Sequence, residues 1–252
     1  MKKIIELQEA TKVIQNGLEE ERVILDHVSL TIYEGDFITV LGGNGAGKST
    51  LFNVIAGTLP LTEGRILIHD TDVTNWSPAK RAQFIARVFQ DPKMGTAPRM
   101  TLAENMLIAY YRGEKRDLSS RQLKEKLDYF KNLLKKIPNG LENHLDTEVQ
   151  SLSGGQRQAL SLLMATLKKP DLLLLDEHTA ALDPKTSKDL MKLTQQFVEE
   201  MKLTSLMITH SMEDALQYGN RLLILKNGQI IKDLQQDEKA QLSLQDYYQF
   251  FD

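Results

Sequence analysis

One segment restricts the fold of this chain more than any other. An apolar run at residues 37–41 (Phe-Ile-Thr-Val-Leu) follows the Gly35-Asp36 turn. Residues 42–49 then read Gly-Gly-Asn-Gly-Ala-Gly-Lys-Ser, and Leu51, Val54 and Ile55 recur at helical spacing. The order is buried strand, glycine loop, helix, and the loop fits the pattern G-x-x-x-x-G-K-[ST]. Gly42, Gly43, Gly45 and Gly47, with the small Asn44 and Ala46, let backbone N–H groups converge without Cβ collisions. The helix that follows aims its positive end at the same point. Lys48 adds a full charge, and Ser49 and Thr50 place hydroxyls in the first turn. The pattern predicts a cradle for nucleotide phosphates, with Lys48 on the β/γ-phosphates and Ser49 completing a Mg²⁺ shell. A chance glycine-rich turn is not expected to meet all of these positions between a strand and a helix.

Two acids extend the prediction. Residues 172–175 are four consecutive leucines followed by Asp176 and Glu177. A leucine run without alternation suits a parallel strand covered on both faces, and its C-terminal end opens on the crevice where such sheets bind ligands. Asp176 is read as a Mg²⁺ ligand and Glu177 as the group that polarises the attacking water. The plainer reading is that both acids cap the next helix. A second glycine turn, Leu152-Ser153-Gly154-Gly155-Gln156, precedes another helix. It reads either as a further anion pocket at a helix N-terminus or as an ordinary serine cap.

Taken together, residues 42–49, 152–156 and 172–177 resemble the ATP-binding cassette (ABC) ATPases. Gln90 in Val88-Phe89-Gln90, Ala181-Leu182-Asp183, and His210 in Ile208-Thr209-His210 match further family motifs in the same order. The resemblance runs from Ile4 to Asp233. It implies an α/β fold: a P-loop NTPase mixed-sheet core, an N-terminal antiparallel β subdomain and an inserted α-helical subdomain. It also implies ATP and Mg²⁺ as cofactors and a head-to-tail dimer with two ATPs at the interface. Each ATP would lie between one subunit's P-loop and the other's Ser153, Gly155 and Gln156. Glu177 and His210 would act on the γ-phosphate and attacking water in cis. Gln90 would sense Mg²⁺ together with Ser49 and Asp176, and link the site to a membrane permease.

Three positions depart from the family pattern. His178 stands where the family has proline, so it could tune Glu177 or pack locally. Ala180 replaces the usual serine. The aromatic that stacks on adenine maps to Ile14, from which we expect weak discrimination between ATP and GTP. The Glu177-His178-Thr179-Ala180-Ala181-Leu182-Asp183 variant, with residues 90–98 and 110–116, is similar to ATPases of a bacterial uptake system. Those ATPases work with a periplasmic-type or extracellular solute-binding protein and a permease resembling branched-chain amino-acid permeases. Some members of that group import aromatic amino acids such as tryptophan.

The rest of the chain is organised around these motifs. Short strands are expected at Ile4-Ile5 and at residues 22–25, 28–32, 64–69 and 204–208, with a solvated loop at 17–22. A helix is expected at about 185–201, and a hairpin turns on Asn227-Gly228 between 222–225 and 229–231. Charged helix-forming residues dominate 102–145. The division expected is one domain over 1–252: antiparallel β at 1–35, a RecA-like core at 36–90 and 168–233, a helical subdomain at 91–167, and a tail at 234–252. Tyr247, Tyr248, Phe250 and Phe251 are placed on one tail helix, and no appended regulatory domain is expected. Met94, Pro98 and Met100 either flank a groove for a permease helix or belong to the core.

Composition narrows the partners. Lys and Arg total 31 against 34 Asp and Glu, a net charge of −3 with no cysteine. There is no basic stripe for nucleic acid, no thiolate chemistry, no signal-peptide h-region and no run of roughly twenty apolar residues. The expected location is peripheral, on the cytoplasmic face of the cell membrane. An exporter ATPase and a soluble ABC ATPase acting on DNA or ribosomes are the alternatives. Against the latter, only 128 residues separate Lys48 from Asp176, with no sustained heptads. A P-loop small-molecule kinase would leave residues 152–156 and His210 unexplained.

Overall fold

The structure is a computed structural model that describes residues 2–15, 21–114 and 122–242. The loop expected at 17–22 therefore lies largely outside the described residues, as do 115–121 of the charged segment and the four tail aromatics. In chain order the elements are β1 (Lys3–Ile14), β2 (Arg22–Tyr33), β3 (Phe37–Gly42), α1 (Lys48–Ala56), β4 (Glu63–Ile68), β5 (Thr71–Asp72), α2 (Pro78–Arg81) and β6 (Ile85–Val88). There follow α3 (Leu102–Tyr110), α4 (Leu123–Leu134), α5 (Gly154–Thr166), β7 (Leu172–Asp176), α6 (Pro184–Met201), β8 (Ser205–Ile208), α7 (Met212–Gln217), β9 (Arg221–Lys226), β10 (Gln229–Gln235) and α8 (Gln236–Lys239).

Two sheets are formed. One is antiparallel, in the order β2-β1-β4-β5; the other runs β10-β9-β3-β8-β7-β6, parallel except for the edge strand β10. The fold class expected from the sequence is the one observed, but the antiparallel sheet is not confined to 1–35. It recruits β4 and β5 from the stretch assigned to the core, because β1 offers its second edge to β4 (Ile5 opposite Ile68, Leu7 opposite Ile66). The strands are also longer than the short apolar runs suggested. β1 continues to Ile14, and β2 crosses the polar Asp26-His27 pair. Register shifts between Leu7 and Ala10, with left-handed backbone at Glu9 (φ 50) and His27 (φ 48), absorb the interruptions.

Between the two sheets and their helices lie two large apolar clusters. Leu172 and Leu174 enter the cluster shared with α1 and the antiparallel sheet, while Leu173 and Leu175 enter the one under α5 and α6. All four leucines are 0% exposed. Each side chain contributes about 2 kcal/mol relative to exposure, which is why this strand needs no polar face. The burial places Asp176 and Glu177 at the strand end with little freedom. Asn227 (φ 50) and Gly228 (φ 80) form the two-residue turn joining β9 to β10, the left-handed pair such a hairpin requires.

Candidate functional site

The phosphate cradle forms because strand β3 delivers the chain directly into α1. Gly47 caps α1 with left-handed backbone at φ 101, and a Cβ there would fall 2.7 Å from the Ile24 carbonyl oxygen. No side chain caps this helix and no acid occupies its first turn, so its first N–H groups are left to an anion. The Lys48 ammonium donates to the carbonyls of Gly42 (2.6 Å) and Gly43 (3.1 Å). Burial pulls its pKa below the usual lysine range, while the charges of Glu177 and Asp176 oppose that shift.

A cavity of about 260 Å³ lies over this loop, lined by residues 44–50 together with Arg22, Ile24, Glu177 and His210. Glu177 holds left-handed backbone (φ 46) just past β7. Its Oε1 stands 2.6 Å from His210 Nε2, with 12% of the glutamate and 48% of the histidine side chain exposed. The structure thus brings together the P-loop, the acid and the histidine from three separate parts of the sequence. Asp176, next to Glu177 in the chain, does not line the cavity; its Oδ2 is held at 2.5 Å by Arg87 Nη2.

Other expected residues stand apart from the cavity. Gln90 is exposed just beyond β6 and does not line it. Ser153, Gly155 and Gln156 do not line it either; Ser153 caps α5, accepting from the Gln156 N–H while Gln156 accepts from the Ser153 N–H. The serine cap foreseen as the plainer reading is therefore present, and it is compatible with an anion pocket because Ser153 remains exposed. Ile14 lies opposite Arg22 in the β1–β2 register, yet Arg22 and Ile24, not Ile14, line the cavity. Sequence reasoning missed both of these, and Arg87 as well. For Arg87 the signal was available: a lone charge in a four-residue strand whose other members are apolar calls for a buried partner.

His178 is 2% exposed, and its Nε2 lies 2.9 Å from the Thr194 hydroxyl, which itself donates to the Leu190 carbonyl. Thr194 must then accept, so the proton is on Nε2. Of the two readings, local packing is the one the geometry supports: the imidazole is fastened to α6. Burial pushes its pKa down to about 4. An unfolded histidine titrates near its ordinary 6.5, so the stabilisation is complete above that pH and is lost as pH falls toward 4. The loss reaches about 3 kcal/mol at 1.36 kcal/mol per unit. We expect His178→Gln, which stays neutral, to flatten stability against pH between 6.5 and 4, as measured by urea unfolding. An unchanged slope would refute the assignment.

A second cavity of about 410 Å³ is lined by Lys93, Thr96, Pro98, Val149, Gln150 and Arg157. Met94 beside it is 70% exposed, and neither Met94, Pro98 nor Met100 belongs to the buried core. Among the described residues no three His, Asp or Glu side chains cluster as a metal cage. A hard cation that arrives with substrate phosphates needs only a few protein oxygens. The hydroxyl of Ser49, the carboxylate of Asp176 and the amide oxygen of Gln90 are donors of that kind. No described helix is long and apolar enough to cross a membrane.

Comparison with known proteins identifies the family. Residues 25–180 match the family described as ABC transporter. The chain is 42% identical over 249 residues to the tyrosine transport ATP-binding protein of Clostridioides difficile (strain R20291), covering 99% of each. It is 31% identical over 248 residues to the phosphonates import ATP-binding protein PhnC of Lactococcus lactis subsp. cremoris (strain SK11), covering 97% of this chain and 98% of that one. Among solved structures it is similar to the dimeric, post-hydrolysis ATP-binding cassette MJ0796 bound to ADP and Pi. The TM-score is 0.77 at 27% identity, over 92% of this chain and 99% of that one.

Proposed function

The chain belongs to the ABC transporter family and is an ATPase, and from that premise we propose that it is the motor subunit of an importer. In this reading it docks peripherally on the cytoplasmic face of the cell membrane, under a permease fed by an extracellular or periplasmic solute-binding protein. The observation that carries the chemistry is the Glu177–His210 pair, 2.6 Å apart, standing over the P-loop. Residues 42–50 bind the phosphates, Glu177 takes the proton of the attacking water, and His210 orients that water and the γ-phosphate. Bound with ATP, Mg²⁺ supplies charge neutralisation at the phosphates, with Ser49, Asp176 and Gln90 as its protein donors. Ser153, Gly155 and Gln156 complete the site of a second copy in a head-to-tail dimer; their absence from the cavity of their own chain supports that arrangement. Residues 91–167 form the arm that reaches the permease, with the second cavity and exposed Met94 as the docking groove.

Import of an aromatic amino acid, tyrosine or tryptophan, is the finer reading, and it draws support from the tyrosine transport relative that the chain matches end to end. The test is uptake of labelled tyrosine and tryptophan into vesicles carrying this chain with a cognate permease and solute-binding protein. ATP-driven uptake abolished by Lys48→Ala is expected; efflux or no transport would overturn the reading.

Adenine recognition follows from the same cavity. The residues lining the cavity include Arg22 and Ile24 and no aromatic ring, and Ile14 lies opposite Arg22 on the neighbouring strand, so the base finds no ring to stack on. GTP should displace a fluorescent ATP analogue within about three-fold as well as ATP, and Ile14→Tyr should tighten ATP by roughly two- to ten-fold, the worth of an aromatic contact. A strong native preference for ATP would contradict this.

A further inference from the structure

Arg87 is ion-paired with Asp176, the acid read as a metal donor, and no part of the mechanism above uses it. Its guanidinium works as a fork: Nη2 reaches Asp176 Oδ2 at 2.5 Å and Nη1 reaches Asn53 Oδ1 at 2.7 Å. The plane lies over the Phe89 ring, 4.7 Å from its centroid. Asp176 and Arg87 are only 14% and 13% exposed. The fork thereby joins β7, which carries the acid, to α1, which carries the P-loop lysine and serine, and to β6, which leads into Gln90. Its Nε is buried without a hydrogen-bond partner, and a buried ion pair is seldom the most stable filling for such a place. A role beyond packing is the better account.

We propose that Arg87 is a positioning residue for the divalent cation: it orients the Asp176 carboxylate and, as a counter-charge, weakens the pull of that carboxylate on the metal. The inference rests on the reading of Asp176 as a metal donor. Two positive charges then compete for one carboxylate. A cation arriving with the nucleotide loosens Arg87, at the root of the segment that runs to Gln90 and to the second cavity. Gln158 of α5 bonds the Phe89 carbonyl at 2.8 Å, so the same root is tied to the helical arm. Metal loading and the docking groove are thereby connected through one side chain.

The test is Mn²⁺ binding in the presence of a non-hydrolysable ATP analogue, read from the electron paramagnetic resonance of free Mn²⁺. Arg87→Met, which removes the charge, should tighten Mn²⁺ about ten-fold. Arg87→Lys, which keeps a point charge but cannot fork, should stay within about three-fold of the parent. A gain in affinity is not an outcome that mere structural damage produces. If Arg87→Met does not fold, Arg87→Gln carries the same comparison with an amide that still reaches Asn53. Unchanged or weaker Mn²⁺ binding in the neutral variant overturns the proposal, as does equal tightening in Arg87→Lys. Asp176→Asn separates the two layers: a loss of more than ten-fold supports the donor assignment, whereas unchanged binding overturns that assignment and the inference built on it.

Discussion

Glu177→Gln is expected to bind ATP at least as well as the parent chain while its turnover falls by a hundred-fold or more, the usual contribution of a positioned general base. The substitution is close to isosteric. Its amide has the size of the carboxylate that stands 2.6 Å from His210 Nε2, so the cavity keeps its shape. What the amide lacks is the capacity to take a proton. Binding should not suffer, because in the proposed site the phosphates rest on α1 and Lys48, neither of which is substituted. Removing one negative charge from the wall facing the γ-phosphate favours ATP further. With hydrolysis stalled, ATP remains between two subunits and the dimer persists, visible as a doubled mass by sedimentation with ATP and as a monomer with ADP. Lys48→Ala is the contrasting control and should lose nucleotide binding itself. Near-normal phosphate release from Glu177→Gln would remove Glu177 from the role of base.

The separation between what could be read early and what could not follows from the range of the interactions. The P-loop was legible because its constraints are local: Gly47 must be left-handed within a hand's breadth of residues that name themselves. The Leu172–Leu175 strand was legible because burial on both faces erases alternation, and the Asn227-Gly228 turn because two positive φ values leave few residue choices. Sheet membership was less so. Whether β4 joins β3 or β1 depends on an edge roughly sixty residues away in the chain, and its own sequence carries no mark of that partner. The same holds for the site. Arg22 and Ile24 reach the cavity through the pairing of β2 with β1. Arg87 meets Asp176 only because β6 and β7 lie side by side, with Arg87 opposite Leu174. His178 posed a different difficulty: its ring could face Glu177 or α6, and only the position of Thr194 decides.

The arrangement of two chains is open to an equally sharp experiment. Ser153 is exposed at the start of α5, and Gly155 beside it is seated so closely on α6 that a Cβ would fall 2.5 Å from the Thr186 methyl group. The turn is thus rigidly mounted on the helix whose N-cap is Asp183, yet it does not line the phosphate cavity of its own chain. In a head-to-tail dimer, Ser153→Arg places bulk and charge in the partner's site and leaves its own P-loop intact, at a cost of about 1 kcal/mol for the lost cap. Ser153→Arg alone should be inactive, and so should Lys48→Ala alone. Mixed in equal amounts, half the dimers pair one of each by random assortment. Each such dimer has one site with an intact P-loop facing an intact turn, and another carrying both defects. Activity should return to about a quarter of the parent value by this two-fold symmetry count. If the turn served its own chain, every site in the mixture would carry one defect and nothing would return. Recovery therefore distinguishes the two arrangements by its presence, and a mixture as inactive as its components would dismiss the trans site.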